Sequence, residues 1–514
     1  LLPIPVPGAP AAAGIWSATP PGQAPIRMLV ALARVAADAV PPSQVICAIP
    51  AQAQDAAGAD ERQVLAEAFA IDDFVRAWAG MMLRETEERP EPGADVRLVA
   101  RRTAAAALPL DGTDTGAPLR VKRSSAEQSN TSIRLGDGMI MKAFRRLQDG
   151  TNPELEVGRF LTQEARFDAT PALLGWVSLE PADGESGHPG DAGLARDDAT
   201  TLAILQAFVP NEGDGWEWLQ ARLAEPSARD RPQDAPVAGP GDPTIDWLRR
   251  LGRRTAEMHR AFGIDADDPA FRPEPVAHAD LQTWADQLRD MARRTLDSLA
   301  ARDASLPASA RRLAAELRAR AAELEAAIDL LLPADRLPVF HKTRHHGDFH
   351  LGQVLVADGD AMIVDFEGEP MRPREERRAK HAAPRDVAGL LRSIAYAAAA
   401  ALRAPGEHAE EGPDSVDSRI DAWVRRAGQA YLDAYLDAAG DVAGCPKDRA
   451  EAERVIRFFM LEKALYEVSY ELANRPDWVG IPLQGVLALL DECRGAAPAE
   501  AGGGQRAGSS AVPV

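Results

Sequence analysis

At 514 residues, with 58 Lys and Arg against 78 Asp and Glu, the chain carries a formal charge of −20, which argues against a broad surface for nucleic acid or anionic lipid. Its 46% hydrophobic content suffices for two or three packed units of ordinary size. Three cysteines, Cys47, Cys445 and Cys493, are too widely spaced in sequence to suggest a zinc knuckle or a disulfide framework, and they imply a reducing, cytoplasmic setting.

No apolar run reaches the roughly 18–20 residues of a membrane span, and the Pro-rich start, residues 1–14, lacks the basic region of a signal peptide. A chain that begins without Met is expected to be a piece of a longer one. Through about residue 120 the periodicity is weak, with 44–49 a candidate strand and 63–81 a candidate helix. Short apolar runs at 131–135 and 139–144 flank Gly136-Asp137-Gly138 and predict a hairpin. Asn152-Pro153 then caps and opens a helix. Residues 201–209 read as a buried strand, and 181–200 and 225–243, rich in Gly, Pro and Asp, as surface loops. From Ile245 the pattern turns helical: Ile245, Leu248, Leu251, Thr255, Met258 and Phe262 share one face, as do Leu313, Leu317, Leu324, Ile328 and Leu331. A second hairpin is expected from 353–356 and 361–366 around Asp358-Gly359, and residues 387–402 read as a buried helix. A low-complexity tail covers 495–514.

The chemistry concentrates in His346-Gly347-Asp348-Phe349-His350-Leu351-Gly352-Gln353 and, after the second hairpin, Asp365-Phe366-Glu367-Gly368. Phosphoryl transfer asks for a carboxylate that orients the attacking hydroxyl and takes its proton, and for oxygen ligands that hold Mg²⁺ against the ATP phosphates. Asp348 sits on a loop with the Gln353 amide shortly after it, and the hairpin returns the chain so that Asp365 faces the same cleft. Singly, either Asp reads as a turn residue; together they read as a site. The pattern resembles the catalytic loop and the metal-binding Asp-Phe-Gly element of protein kinases, and more closely the His-Gly-Asp loop of aminoglycoside phosphotransferases. That resemblance implies Asp348 as the catalytic base, with Gln353 and Asp365 as Mg²⁺ ligands; Gln353 stands where most kinases carry Asn.

A kinase also needs a cation on the ATP phosphates. Lys142, on the second strand of the first hairpin, is expected to supply it with Glu156 as partner, Glu154 pointing elsewhere on the same helix. No Gly-rich phosphate loop is visible. Its place before the hairpin is taken by a Ser-rich run in which Ser125, Gln128, Ser129 and Asn130 are candidates to cover the phosphates with hydroxyls and backbone N–H groups. His341, His345, His346 and His350 invite a zinc reading. Adjacent His345 and His346 point oppositely on an extended chain, however, so His346 and His350 are better read as orienting the loop.

Several segments resemble those of maltokinases, in the same order: Ser125-Ala126-Glu127-Gln128-Ser129-Asn130-Thr131-Ser132, Asn152-Pro153 with Glu156, and Gln206-Ala207-Phe208-Val209-Pro210. Asp365-Phe366-Glu367-Gly368-Glu369-Pro370, Arg385-Asp386-Val387-Ala388-Gly389 with Arg392-Ser393, and Leu461-Glu462-Lys463-Ala464-Leu465-Tyr466-Glu467 with Tyr470-Glu471 and Asn474-Arg475-Pro476-Asp477-Trp478 continue the series. The resemblance covers roughly residues 107–490. It fails earlier, where the basic, Arg-Trp-containing strand that opens the maltokinase N-terminal cap is not found.

What the resemblance implies is an α+β, two-lobed, protein-kinase-like fold: a diverged cap at 1–106, an N-lobe at 107–210 and a helical C-lobe at 211–494. Gln206 and Phe208 would lie on a hinge that binds adenine through its backbone, and Asp386 would brace the catalytic loop. His346, His350, Glu367 and Arg372 are assigned to the acceptor side. So are Tyr466, Tyr470, Glu471 and Trp478, whose aromatic faces among carboxylates suit a pyranose. The implied activity is ATP- and Mg²⁺-dependent transfer to the anomeric hydroxyl of maltose, giving maltose 1-phosphate for α-glucan (glycogen) synthesis, with trehalose synthase as a functional or fused partner. The same fold also accommodates glucosamine, another sugar or an aminoglycoside as acceptor. A non-catalytic binding module and a zinc hydrolase are the readings from other classes.

Overall fold

In the computed structural model, residues 2–4, 11–18, 26–48, 63–88, 95–107, 118–123, 130–182, 198–225, 242–333, 339–370, 372–402 and 413–496 are described. The contacts candidates Ser125, Gln128 and Ser129 lie outside them, as do most of the two expected surface loops and of the tail. Along the chain come β1 (Leu2–Ile4), β2 (Ala11–Ala18), β3 (Ile26–Ala36), β4 (Val45–Ala48), β5 (Gln63–Glu67), α1 (Asp72–Arg84), β6 (Glu87–Glu88), β7 (Val96–Arg102), β8 (Val121–Arg123), β9 (Asn130–Leu135), β10 (Met139–Phe144), β11 (Arg146–Leu147) and α2 (Pro153–Arg159). There follow β12 (Leu173–Pro181), β13 (Thr200–Ala207), α3 (Gly215–Ala224), α4 (Pro243–Phe262), β14 (Glu274–Pro275), α5 (His278–Ala301), α6 (Ala308–Ala319), α7 (Ala321–Leu331), β15 (His341–Lys342), β16 (Val354–Ala357) and β17 (Asp360–Ile363). The last helices are α8 (Arg374–Arg378), α9 (Pro384–Leu402), α10 (Pro413–Ala438), α11 (Arg449–Asn474) and α12 (Gly480–Ala496).

The chain forms two compact units, residues 1–275 with 340–447, and residues 276–339 with 448–514. In the first, a seven-stranded sheet of order β6-β7-β12-β13-β10-β9-β8 is antiparallel throughout. The predicted first hairpin, β9–β10, lies next to β13 in this order, with Lys142 opposite Ser132 on one side and Ile204 on the other. Alternation explains it: Ile133, Leu135, Met139, Met141 and Ala143 are buried on one face, in a core with Phe74, Trp78 and Met82 of α1, while Lys142 takes the other face. A second sheet, β1-β2-β3-β5-β4, receives β11 against β3.

Residues 63–81 are not one helix: Gln63–Glu67 is a strand, with Val64 and Ala66 buried in alternation, and the helix begins only at Asp72. Cross-strand pairing with β3 and β4 overrides the helical spacing of the apolar residues. The second half of the unit is mainly helical. Gly252 of α4 meets α10 so closely that a Cβ there would lie 2.3 Å from the Tyr431 carbonyl oxygen. The hairpin β16–β17 turns at Asp358 and Gly359, both at positive φ, as an Asp-Gly turn requires.

The second unit is all helical among the described residues. Trp284 of α5 packs edge-on to Phe459 of α11, and Thr295 is hydrogen-bonded to Ser469 at 3.1 Å. The apolar face expected across residues 313–331 is divided between α6 and α7, which break at Arg320.

Candidate active site

The site lies within the first unit and is built from the β9–β10 hairpin, α2 and the loops around β16–β17. Asn152 caps α2 by accepting from the Glu154 N–H at 2.7 Å, with Pro153 at the first helical position. This fixes the start of the helix beside β10. Lys142 Nζ lies 2.6 Å from Glu154 Oε2, 2.6 Å from Asp365 Oδ1 and 3.0 Å from Glu367 Oε1. The expected partner, Glu156, is on the far side of α2, because residues two apart on a helix point nearly opposite ways. It pairs with Arg344 and Arg378 instead. The correction is a register choice that only packing settles: both residues are carboxylates on the same turn, and the sheet faces Glu154.

One ammonium thus faces three carboxylates. Burial would lower the Lys142 pKa, but Glu154, Asp365 and Glu367 outweigh it and hold it well above its ordinary value. Burial, with the negative charges of Asp365 and Glu367, pushes the Glu154 carboxyl up to about 8 against the pull of Lys142. Gln353 Nε2 donates to Asp365 Oδ2 at 3.0 Å, so the two expected Mg²⁺ ligands are adjacent. Glu154, Asp365 and Glu367 bring ligand oxygens within 4.8 Å of one another, a hard donor set suited to a divalent cation. Asp365 sits at φ 66°, a left-handed backbone uncommon for a residue with a Cβ. The β17 ladder accordingly stops at Ile363, short of the predicted 366, and the Asp365 side chain turns into the cluster.

Asn130 Nδ2 donates to Glu367 Oε1 at 3.0 Å. Glu367 therefore belongs to the Lys142 side of the site rather than to the acceptor side where the sequence had placed it. At the expected hinge, Gln206 is half-buried, next to last in β13, but the Phe208 N–H donates to the Gly138 carbonyl at 2.9 Å, and its ring lies under the Arg134 guanidinium at 3.9 Å. A base bound at the hinge would not meet the Phe208 amide in this arrangement.

The Asp348 loop is braced from behind. Asp386, near the start of α9 and 2% exposed, accepts from the N–H groups of His346 (2.7 Å) and Gly347 (3.0 Å) and from His259 Nε2 at 3.2 Å. Burial alone would raise its pKa; the His259 hydrogen bond and the neighbouring imidazoles outweigh that and hold it well below the carboxylate range. Gly389 and Ser393, successive positions on the same helix face, meet the loop too: a Cβ on Gly389 would come 2.8 Å from the Phe349 carbonyl, and Ser393 Oγ accepts from the Leu351 N–H at 3.0 Å. The run Arg385 to Ser393, singled out by resemblance, is thus a platform for the loop. His259 and Tyr435, 3.0 Å apart and buried, extend it and were missed; no local pattern marks either residue.

His346 is not a substrate contact. It is 1% exposed, its Nε2 donates to the Val364 carbonyl at 3.0 Å, and its Nδ1 faces the Asp348 N–H at 3.4 Å, so it ties the Asp348 loop to the end of β17. His350 caps the short turn to Gln353 by accepting from the Gly352 N–H, and its Nε2 lies 3.9 Å from Asp348 Oδ2. Asp348 itself is half-buried on this braced loop. Arg372 pairs with Glu369 at 2.7 Å.

The remaining acceptor-side candidates belong to the second unit. Here α11 carries Tyr466 and Tyr470, ends at Asn474 and is followed by a short turn, Pro476–Trp478. Glu471 is 1% exposed and engaged by Arg475 at 2.6 and 3.0 Å, so it is a structural carboxylate rather than a sugar contact. Tyr470 is 46% exposed, Tyr466 stacks on it at 6.5 Å, and Arg475 lies over both Tyr470 and Trp478.

The strand order, the Lys142–Glu154 pair, the braced Asp348 loop and the hairpin-borne Asp365 together define a two-lobed, α+β, kinase-like phosphotransferase fold. No protein-family model matches the chain. A glucosamine kinase from Mycolicibacterium smegmatis is 28% identical to it over 368 residues, covering 72% of this chain and 79% of its own. Another, from Streptacidiphilus jiangxiensis, is 27% identical over 429 residues, 82% of this chain and 85% of its own. The solved structure of a glucosamine kinase in complex with glucosamine, ADP and inorganic phosphate matches with a TM-score of 0.59 at 20% identity, over 95% of both chains.

Proposed function

We propose that the protein transfers the γ-phosphoryl group of ATP to a hydroxyl of a sugar, and that glucosamine is the acceptor. The observation that carries the transfer is Lys142, held at 2.6 Å from both Glu154 and Asp365. A lysine fixed by a carboxylate beside a metal-ligand Asp is the arrangement that receives nucleotide phosphates in kinases. The two curated relatives, both glucosamine kinases, support the acceptor over maltose.

In this reading Gln353 and Asp365 hold Mg²⁺, with Glu154 and Glu367 close by. The ion supplies charge neutralisation on the transferred phosphoryl group. Lys142 exchanges part of its carboxylate contact for the phosphates. Asn130, and the Ser-rich run before it, cover them. Asp348 orients the acceptor hydroxyl and takes its proton, on a loop whose backbone Asp386 fixes in advance, so that little reorganisation is left for the reactive complex.

Maltose is the second reading, and trehalose synthase as a partner belongs to it. It is favoured by the half-open aromatic row of Tyr466, Tyr470 and Trp478, which suits the apolar face of a neutral sugar. A coupled ADP-release assay against glucosamine, maltose, glucose, trehalose and kanamycin separates them. Glucosamine is expected to give the highest kcat/KM; maltose ahead of glucosamine would reverse the acceptor assignment.

A further inference from the structure

Behind the Lys142 cluster, Glu156 has a fully buried side chain and lies between two guanidinium groups. Arg378 donates through Nε and Nη2 to its two carboxylate oxygens, each at 2.9 Å, and Arg344 Nη2 lies 3.2 Å from Oε2. Arg344 is 2% exposed, its guanidinium 5.0 Å from the Phe271 ring centre. Burial would raise the Glu156 pKa, but the two arginines hold it below its ordinary value.

The three residues come from three separate pieces of the site. Glu156 is on α2, two residues beyond the one that holds Lys142. Arg344 follows β15 and leads directly into the catalytic loop. Arg378 ends α8, in the segment downstream of Asp365, and its neighbour Arg377 donates to the Glu367 carbonyl at 2.9 Å and to the Gln148 side chain. Buried ion pairs contribute little net stability compared with apolar packing. A bidentate guanidinium–carboxylate pair does, however, admit essentially one relative geometry.

We infer that Glu156 is a positioning residue: through Arg378 and Arg344 it registers α2 against the catalytic loop and the segment after Asp365, so that Glu154 presents Lys142 to Asp365. The activity readout of this inference rests on the phosphotransfer reading above. If Glu156 acts through Glu154, its loss matters only while Glu154 is there to be positioned.

The test is a double-mutant cycle on kcat with ATP and glucosamine. Glu156→Gln is expected to lower kcat about tenfold or more in the wild-type background and by less than about twofold in a Glu154→Gln background, since groups in one network are not additive. Glu156→Asp, which keeps the charge, should recover part of the loss. Equal losses in both backgrounds, or none in either, would overturn the inference. Should Glu156→Gln fail to fold, with the buried Arg344 guanidinium deprived of its carboxylate, Arg378→Lys carries the same cycle with the same outcomes, because it keeps the charge and loses the fork. If the wild-type protein phosphorylates no sugar, the phosphotransfer reading is what has failed. The registration of α2 is then read by amide hydrogen exchange: faster exchange across residues 153–159 in Arg378→Lys, with α1 unchanged, upholds it, and unchanged exchange in α2 overturns it.

Discussion

The Lys142 cluster of the first unit and the aromatic row on α11 of the second are opposite kinds of surface. In the cluster, one ammonium and three carboxylates meet within hydrogen-bond distance, brought together from β10, α2 and the segment after β17. Along the row, Tyr466, Tyr470 and Trp478 come from one helix and the turn that follows it, and they are crossed by a cation from the same turn. The difference is one of dependence. The cluster exists only if the tertiary fold is right, so disturbing it should cost both activity and stability. The row is local, so disturbing it should change what is bound more than whether the protein folds.

The largest effect is expected at Asp348, which the braced loop holds without using it for packing. Asp348→Asn should leave the melting temperature near wild type and lower turnover by at least about 10²-fold, the lower range for loss of a general base; turnover within a few-fold of wild type removes it from the mechanism. Lys142→Met comes next. It strips the ammonium that three close carboxylates share, so kcat should fall, the KM for ATP should rise, and stability should drop by about 3–5 kcal/mol, as when one partner of a buried pair is removed. Adding Glu154→Gln should return part of the stability but none of the activity. Denaturant unfolding of the single and double variants checks this, and a fully stable Lys142→Met would show that the cluster is not buried in the sense described.

A smaller effect concerns pH. The Glu154 carboxyl, raised from 4.5 to about 8, keeps a proton in the folded, ligand-free state that the unfolded chain has already lost, so its contribution makes stability fall as pH rises through that window. Glu156 and Asp386, held below their ordinary values, act in the opposite sense and only at acid pH. The difference in melting temperature between wild type and Glu154→Gln should therefore shift in favour of the variant between about pH 5 and pH 8. A constant difference across that range would contradict the raised carboxyl. The smallest change is expected in the row: Trp478→Ala should raise the KM for the sugar and leave that for ATP alone, and a loss of thermal stability with unchanged KM values would return Trp478 to packing.

What could be read from the sequence follows the same division. Hairpins announced by Gly136-Asp137-Gly138 and Asp358-Gly359 and the cap at Asn152 are local signals, and each is found in place. The loop from His346 to Gln353 and the second Asp at 365 stood out as candidates because their spacing along the chain is what a phosphotransfer site would ask for. The choice between Glu154 and Glu156 was not legible, since two carboxylates on one turn are equivalent until a sheet and two arginines take opposite sides. Gln63–Glu67 was misread for a related reason: its strand exists only by pairing with β3 and β4. The braces His259 and Tyr435 and the engaged carboxylate of Glu471 likewise depend on partners that the sequence does not name.

The most direct test of the central claim follows phosphate from ATP to the sugar by ³¹P NMR, with wild-type protein and Asp348→Asn side by side, in the presence of Mg²⁺ and glucosamine. A new sugar-phosphate resonance growing in step with ADP for the wild type, and slower by at least about 10²-fold for the variant, is the predicted result. ATP consumed without a sugar phosphate, or equal product from both proteins, would contradict it.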